Sequence, residues 1–278
     1  MEVRVLAEPD AFMSVAALAL ASDPAGNTVI ATVAEMHRDQ ADAPPAWWFV
    51  VEDDGVAVGV SMLVPPWPVY VGPMPVGAAT LVAETVDGLV ASVAGFNGEQ
   101  EAVREAAARW QRLRPEVAVT GSRGMRLFRL GVLTSPDVPG AARPATDADL
   151  DLLRGWYLAF AADADAPTHD VEQSIRFRLD GQGGFVLWED GGDPVAFAGY
   201  SPVVAGVARI GPVYTPPEHR RRGYGAAVTA AASQAARADS PAEVVLFTDL
   251  GNPTSNKIYT QIGYRPVRDY LEVELTAG

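Results

Sequence analysis

Apolar residues in the first 133 positions follow two rhythms. Continuous or alternating apolar runs suited to strands cover Met1–Ala7, Trp47–Glu52, Val56–Val64, Val69–Gly72 and Leu89–Ala94. Stretches with the three-to-four spacing of helices cover Ala11–Ser22, Asn27–His37, Ala78–Glu84 and Gly98–Leu113. Asp53-Asp54-Gly55 joins two of the strands with residues that favour a tight turn, so the pair predicts a hairpin. Val117–Leu133 predicts a second hairpin, turning at Gly121-Ser122-Arg123-Gly124. Pro136, Pro139 and Gly140 then break the pattern, and Leu133–Arg143 reads as a linker.

Beyond the linker, Thr146-Asp147-Ala148-Asp149 is a helix start, with a helix to about Ala161 and another over Asp170–Leu179. Gly184–Glu189 and Val195–Ser201 predict a hairpin, followed by a strand over Ala208–Thr215 that Pro216 and Pro217 stop. An alanine-rich helix over Ala226–Arg237, a strand over Val244–Asp249, a helical segment and a final pair of strands near Tyr264 and Leu271 complete the order. The fold class is therefore α/β with a mixed sheet, in two domains expected at 1–137 and 138–278.

The halves look like repeats. Phe49–Gly55 parallels Phe185–Gly191, Val71-Gly72-Pro73 parallels Ile210-Gly211-Pro212, and Gly77-Ala78-Ala79 parallels Gly225-Ala226-Ala227. Between the last two pairs the first half has three residues and the second has twelve, so nine are missing. Asn97 then falls over Asn252, with Gln100 for Ser255 and Arg104 for Tyr259.

Composition narrows the chemistry. The chain has 278 residues, 49% of them apolar, and a net charge of −14, which argues against nucleic acid and is compatible with a cationic substrate. There is no cysteine, hence no disulfide, thiol nucleophile or thiolate metal site, and His37, His169 and His219 lack ligand spacing. No apolar run reaches membrane-span length, and Ala11–Ala21 is short and preceded by acids, so a cytoplasmic protein, monomeric or a homodimer, is expected. Gly199-Tyr200-Ser201-Pro202-Val203 lacks the last glycine of a hydrolase nucleophile elbow.

The strongest chemical signal is Val213-Tyr214-Thr215-Pro216-Pro217-Glu218-His219-Arg220-Arg221-Arg222-Gly223-Tyr224-Gly225-Ala226. Strand, loop and helix follow in order, and the loop places three arginines and two glycines at the unpaired N–H groups of a helix start. Glycine there lets backbone approach a ligand closely, and the combination suits phosphate. No lysine follows as a Walker loop needs, and Val228 stands where a Rossmann fingerprint needs its third glycine.

What remains, R-x-x-G-x-G on Arg220, Gly223 and Gly225, resembles the pyrophosphate loop of the GNAT superfamily of acyl-CoA-dependent N-acyltransferases. Asn252, Ser255, Ile258, Tyr259, Gly263 and Tyr264 match that family's second signature. The resemblance covers about half the chain and implies two GNAT-like lobes. The first would lack phosphate loop and catalytic tyrosine; the second would carry the acetyl-CoA site. It implies a diphosphate held on Arg220, Arg221, Arg222, Gly223, Tyr224, Gly225 and Ala226. A pantetheine arm would lie along Val213, Tyr214 and Thr215, near Asn252, Ser255 and Asn256. It further implies strands that splay beside that arm, and Tyr259 as general acid to the leaving sulfur.

The general base stays open: Val207–Thr215 carries no acid or histidine, and Glu218, His219, Asp249 or an ordered-water relay are the choices. Asp163, Asp165, His169 and Asp170 form either an ammonium-attracting rim or a solvated loop. Trp156, Tyr157 and Phe160 suit a pocket or a core. The expected activity is N-acetyl transfer to a small-molecule primary amine; the alternatives are a non-catalytic acyl-CoA-binding module and a protein N-acetyltransferase.

Overall fold

The computed structural model describes residues 1–38, 44–164, 168, 171–181, 183–238 and 242–277. In chain order the strands are β1 (Glu2–Leu6), β2 (Trp47–Asp53), β3 (Val56–Leu63), β4 (Val69–Val71), β5 (Gly95–Glu99) and β6 (Val117–Leu130). They continue as β7 (Ala141–Pro144), β8 (Gly184–Asp190), β9 (Asp193–Tyr200), β10 (Val207–Tyr214), β11 (Glu243–Asp249) and β12 (Tyr264–Ala277). The helices are α1 (Pro9–Val15), α2 (Ala17–Ser22), α3 (Thr28–Arg38), α4 (Ala78–Leu89) and α5 (Gln100–Leu113). After them come α6 (Leu150–Asp163), α7 (Val171–Leu179), α8 (Tyr224–Ala235) and α9 (Pro253–Gln261).

Three expectations change. Val117–Leu130 is a single strand instead of a hairpin, and so is Tyr264–Ala277. The turn signal at Gly121–Gly124 is overridden by long-range partners: Arg123 pairs with Glu272 at 3.0 Å and Arg126 with Asp269 at 2.6 Å. Leu89–Ala94 is the end of α4 and a connection, and the strand follows at Gly95.

The chain divides into two compact units. Unit 1 comprises 1–127, 249–251 and 267–278, and unit 2 comprises 128–248 and 252–266. The division expected at 137/138 falls inside unit 2, and residues 267–278 lie with unit 1.

Unit 1 orders its strands β1-β2-β3-β4-β5-β12-β6. The first four pairings are antiparallel, antiparallel, antiparallel and parallel. Unit 2 repeats this order and these senses in β7-β8-β9-β10-β11. The repeat read from short sequence matches is thus a repeat of topology. The core of unit 1 packs Val82, Val86, Val103 and Trp110 of α4 and α5 on Phe49, Val69 and Phe96 of the sheet.

In unit 2 the strand period of two sends side chains to opposite faces. On β8, Val186 meets the α8 core, while Phe185 and Leu187 meet the α6–α7 core. On β10, Ala208 and Ile210 face α8, but the register slips between Ile210 and Val213. That irregularity reverses the phase, so Val213 packs on the α8 side and Tyr214 on the α6–α7 side.

A candidate acyl-CoA site on unit 2

The site starts where β10 leaves β11. Their parallel register runs from Val207↔Glu243 to Ile210↔Leu246 and stops there. β10 continues to Tyr214 on the support of β9 alone, through Val213↔Ala198 and Tyr214↔Phe197. Pro212 has no N–H to offer a ladder. Past Ile210 the β11-facing edge of β10 is thus a strand edge of the kind that pairs with an amide chain. Val213 and Thr215 are half-buried and Tyr214 is buried.

After Thr215, Pro217–His219 make a single 3₁₀ turn and the three arginines follow, all exposed. Arg221 has φ +63° and Gly223 φ +88°. A left-handed non-glycine costs ~1–2 kcal/mol, and the return at Gly223 turns successive N–H groups into a concavity suited to an anion. Gly223 caps α8 without a side-chain hydrogen bond, so the first-turn N–H groups at Tyr224, Gly225 and Ala226 are not capped by that residue. Glycine is required at 223 twice over: by its φ, and because a Cβ would stand 2.6 Å from Val138 Cγ1. At Gly225 a Cβ would meet only Thr215 Oγ1, at an ordinary 3.4 Å.

The arginines differ. Arg220 Nε donates to the Thr215 carbonyl at 2.9 Å, its guanidinium lies 5.7 Å over the Tyr214 ring, and its Nη2 pairs with Asp163 at the end of α6. It is a loop clamp, with Arg221 and Arg222 closer to the concavity in sequence. The Tyr224 hydroxyl donates to Asp190 at the end of β8. That bond raises the Tyr224 pKa, with Arg222 acting in the opposite sense. Asp190 and Val138 are supports the sequence reading missed, and Asp163, read there as part of an acidic rim or a solvated loop, supports Arg220; only their place in the fold reveals these roles.

The third piece is α9. Asn252 caps it, its amide oxygen accepting from Ser255 N at 3.0 Å, and Asn256 Nδ2 donates back to the Asn252 carbonyl at 2.7 Å. Both asparagines thus build the helix start. Tyr259, one turn beyond Ser255, is half-buried, with its ring against Phe128 at 6.5 Å and Tyr264 at 6.2 Å. Burial pushes its hydroxyl up to about 12, and a hydrogen bond with Ser255 works in the opposite sense. Tyr264 is anchored in turn by the Ser233 hydroxyl of α8 at 2.7 Å.

Residues 150–264 match the model of the acetyltransferase (GNAT) family. That segment of unit 2 is similar to a GNAT acetyltransferase domain. Among solved structures, a Drosophila protein is 15% identical with a TM-score of 0.69, covering 99% of this chain and 98% of that one. A GCN5-related N-acetyltransferase from Kribbella flavida is 21% identical, TM-score 0.62, covering 93% and 96%. A tandem GNAT protein from the clavulanic acid biosynthesis pathway is 12% identical, TM-score 0.61, covering 100% and 99%. At these identities the likeness is one of fold, and it extends over both units. No curated protein matches the sequence.

The GNAT domain and its repeat diverge at one place. α4 of unit 1 also starts from a left-handed glycine, Gly77, with φ +88° and no side-chain cap. Structurally Gly77 therefore stands for Gly223 instead of Gly225, and seven residues are missing instead of nine. Glu99 caps α5 by accepting from Ala102 N, as Asn252 caps α9, so Ala106 and not Arg104 stands for Tyr259. At the α4 start the Glu105 carboxylate accepts from Gly77 N and Thr80 N, each at 3.1 Å, and from Thr80 Oγ1 at 2.8 Å. An internal carboxylate fills in unit 1 the place that the loop of the GNAT domain frames.

Other residues singled out from sequence are placed as follows. Glu218 is exposed, and His219 is half-buried with a buried Nδ1 that has no hydrogen-bond partner. Asp249 belongs to unit 1, where it accepts from Gly251 N at 2.6 Å. Trp156 packs on Phe197 and Tyr214 at 6.1 and 6.3 Å, and Tyr157 on Phe160 at 6.4 Å. Asp165, His169 and Asp170 lie outside the described residues. Among the described residues no helix is long and apolar enough to cross a membrane.

Proposed function

We propose that this protein transfers an acetyl group from acetyl-CoA to the primary amine of a small molecule, in the GNAT domain of unit 2. The observation that carries this reading is the parting of β10 from β11 at Ile210, directly ahead of a left-handed glycine start to α8. The diphosphate rests on the N–H groups of the 221–226 segment with Arg221 and Arg222 adding charge, and the pantetheine amides pair with the free edge of Val213–Thr215. The amine nitrogen attacks the thioester carbonyl carbon, and a β10 N–H stabilises the oxygen that gains charge. The carbon–sulfur bond breaks, Tyr259 donates toward the departing sulfur, and the amine proton leaves to solvent. With no acid or histidine on β10, the amine's own ionisation sets the rise of rate with pH.

Unit 1, its equivalent helix start filled by Glu105, serves as scaffold and binds no second acyl-CoA. Titration calorimetry with acetyl-CoA and a thiol-release assay across an amine panel test the reading. One equivalent bound, with turnover of at least one amine, is the expected result. Binding without turnover on any small amine or peptide points to a non-catalytic module, and no binding sinks both.

A further inference from the structure

Arg220 joins three parts of unit 2 at once. Its Nε donates to the Thr215 carbonyl at 2.9 Å, and its Nη2 pairs with Asp163, the last residue of α6. Its guanidinium lies 5.7 Å over the ring of Tyr214, the last residue of β10. The Tyr214 ring in turn stands 6.3 Å from that of Trp156 on α6. Trp156 and Asp163 are two helical turns apart and so share one face of α6. That face is fastened to the end of β10 at two heights, by a ring contact and by an ion pair whose cation belongs to the arginine loop.

The repeat is wired differently. Between Pro73 and Gly77 unit 1 has no arginine. The acid that follows its matching helical stretch, Asp23 after α2, pairs with Arg268 of β12 at 2.6 Å. A link from helix end to phosphate loop thus belongs to the half that has the loop. Its place also matters to the proposed chemistry. Val213 packs on the α8 side of the sheet, where the diphosphate would rest at the start of α8, and Tyr214 packs on the α6–α7 side. With the coenzyme on the first side, α6 borders the side left to the acceptor.

We infer that Asp163 is a positioning residue: through Arg220 it carries occupancy of the diphosphate loop to α6 and so tightens acceptor binding. The acceptor part rests on the transfer reading, so the test has one arm that needs no acceptor. The two side chains of the pair are 43% and 52% exposed, and a pair so exposed is weak on its own because holding its side chains still costs entropy. A diphosphate on the 221–226 segment immobilises the loop, removes part of that cost and strengthens the pair. The effect is that of an exposed pair, about two- to fivefold.

Hydrogen exchange with and without CoA, which has no acetyl group to transfer, reads the link directly. CoA should slow exchange in the 221–226 segment and, about two- to fivefold, in the last turn of α6, where Ala164 N donates to the Phe160 carbonyl. Asp163→Asn keeps the first protection and loses the second, and Asp163→Glu retains part of it. Asp151→Asn, which removes the same charge from the pair with Arg154 on the same helix, changes neither. In thiol release at saturating acetyl-CoA, Asp163→Asn raises acceptor KM about two- to fivefold with kcat near wild type. Arg220→Gln does the same, and the double variant adds nothing further. An α6 end indifferent to CoA, protection that survives Asp163→Asn, or additive losses in the double variant overturns the inference. Turnover of an amine beside an indifferent α6 leaves the transfer reading standing, whereas Asp163-dependent protection with no amine turned over does the reverse.

Discussion

Removing one oxygen atom from Tyr259 separates two ways in which a phenol can assist a leaving sulfur. Burial holds the hydroxyl at about 12, whereas a free thiol titrates near ~8.5. Complete proton transfer from this phenol to the thiolate is therefore uphill by ~3.5 units, or ~5 kcal/mol. A hydrogen bond donated to the developing anion remains available and contributes ~1.5–3 kcal/mol. Tyr259→Phe should then lower kcat by roughly 10- to 150-fold, below the upper range of ~10⁴ for a full general acid. The ring contacts with Phe128 and Tyr264 survive the change, so fold and acetyl-CoA affinity hold. The assay is thiol release at saturating acetyl-CoA, beside calorimetric affinity and a wild-type profile from pH 7 to 11. The profile should show no tyrosine limb near pH 10. Turnover within twofold of wild type, an equal loss in acetyl-CoA affinity, or a descending limb near pH 10 would each refute the reasoning.

Further outcomes follow from the same geometry. Gly225→Ala meets nothing closer than 3.4 Å, so stability should hold or rise by up to ~1 kcal/mol from helix propensity while acetyl-CoA binding weakens several-fold. Gly223→Ala, at φ +88°, should cost ~1–2 kcal/mol of unit 2 stability as well as binding; equal melting curves for the two variants would contradict this. Glu105→Ala leaves two backbone donors of α4 unpaired and should destabilise unit 1 by ~1–3 kcal/mol. Sulfate should restore part of that loss and acetyl-CoA affinity should not move, as denaturant melts and calorimetry would show. Asp149 is held at about 2 by Arg143 first and by Thr146 second, below its ordinary 3.8. A lowered carboxyl pKa adds stability above the unfolded value and loses it as pH falls toward 2. Asp149→Asn should therefore remove up to ~2 kcal/mol at pH 6 and flatten the acid limb between pH 4 and 2, with Arg143 one-third exposed and partly screened.

Local chemistry made most of unit 2 legible. The apolar run into Pro216, the glycines of the arginine loop and Asn252 ahead of Pro253 each specify their own conformation, and each appears where the sequence puts it. The repeat was visible too, though two of its alignments slipped because helix caps, which fix the equivalence, are invisible in short identity matches. What stayed hidden depends on partners distant in the chain. Arg220 is legible as a candidate phosphate ligand, but its bonds to Asp163 and to the Thr215 carbonyl are not. Glu105 reads as one more acid on a polar helix face until Gly77 and Thr80 close on it.

The strand β12 ties folding of unit 1 to the prior synthesis of unit 2. Tyr270 through Glu274 pair with Glu99 through Gly95, Arg268 meets Asp23 at 2.6 Å, and the Tyr270 hydroxyl reaches the Gly26 carbonyl at 2.9 Å. All those partners leave the ribosome early, but their strand follows about 140 residues of unit 2. At ~5–20 residues per second the β5 edge waits on the order of ten seconds for its neighbour. A nascent chain in that interval displays an unsatisfied sheet margin, and the half with no assigned chemistry is the one that cannot close until the catalytic half has been made.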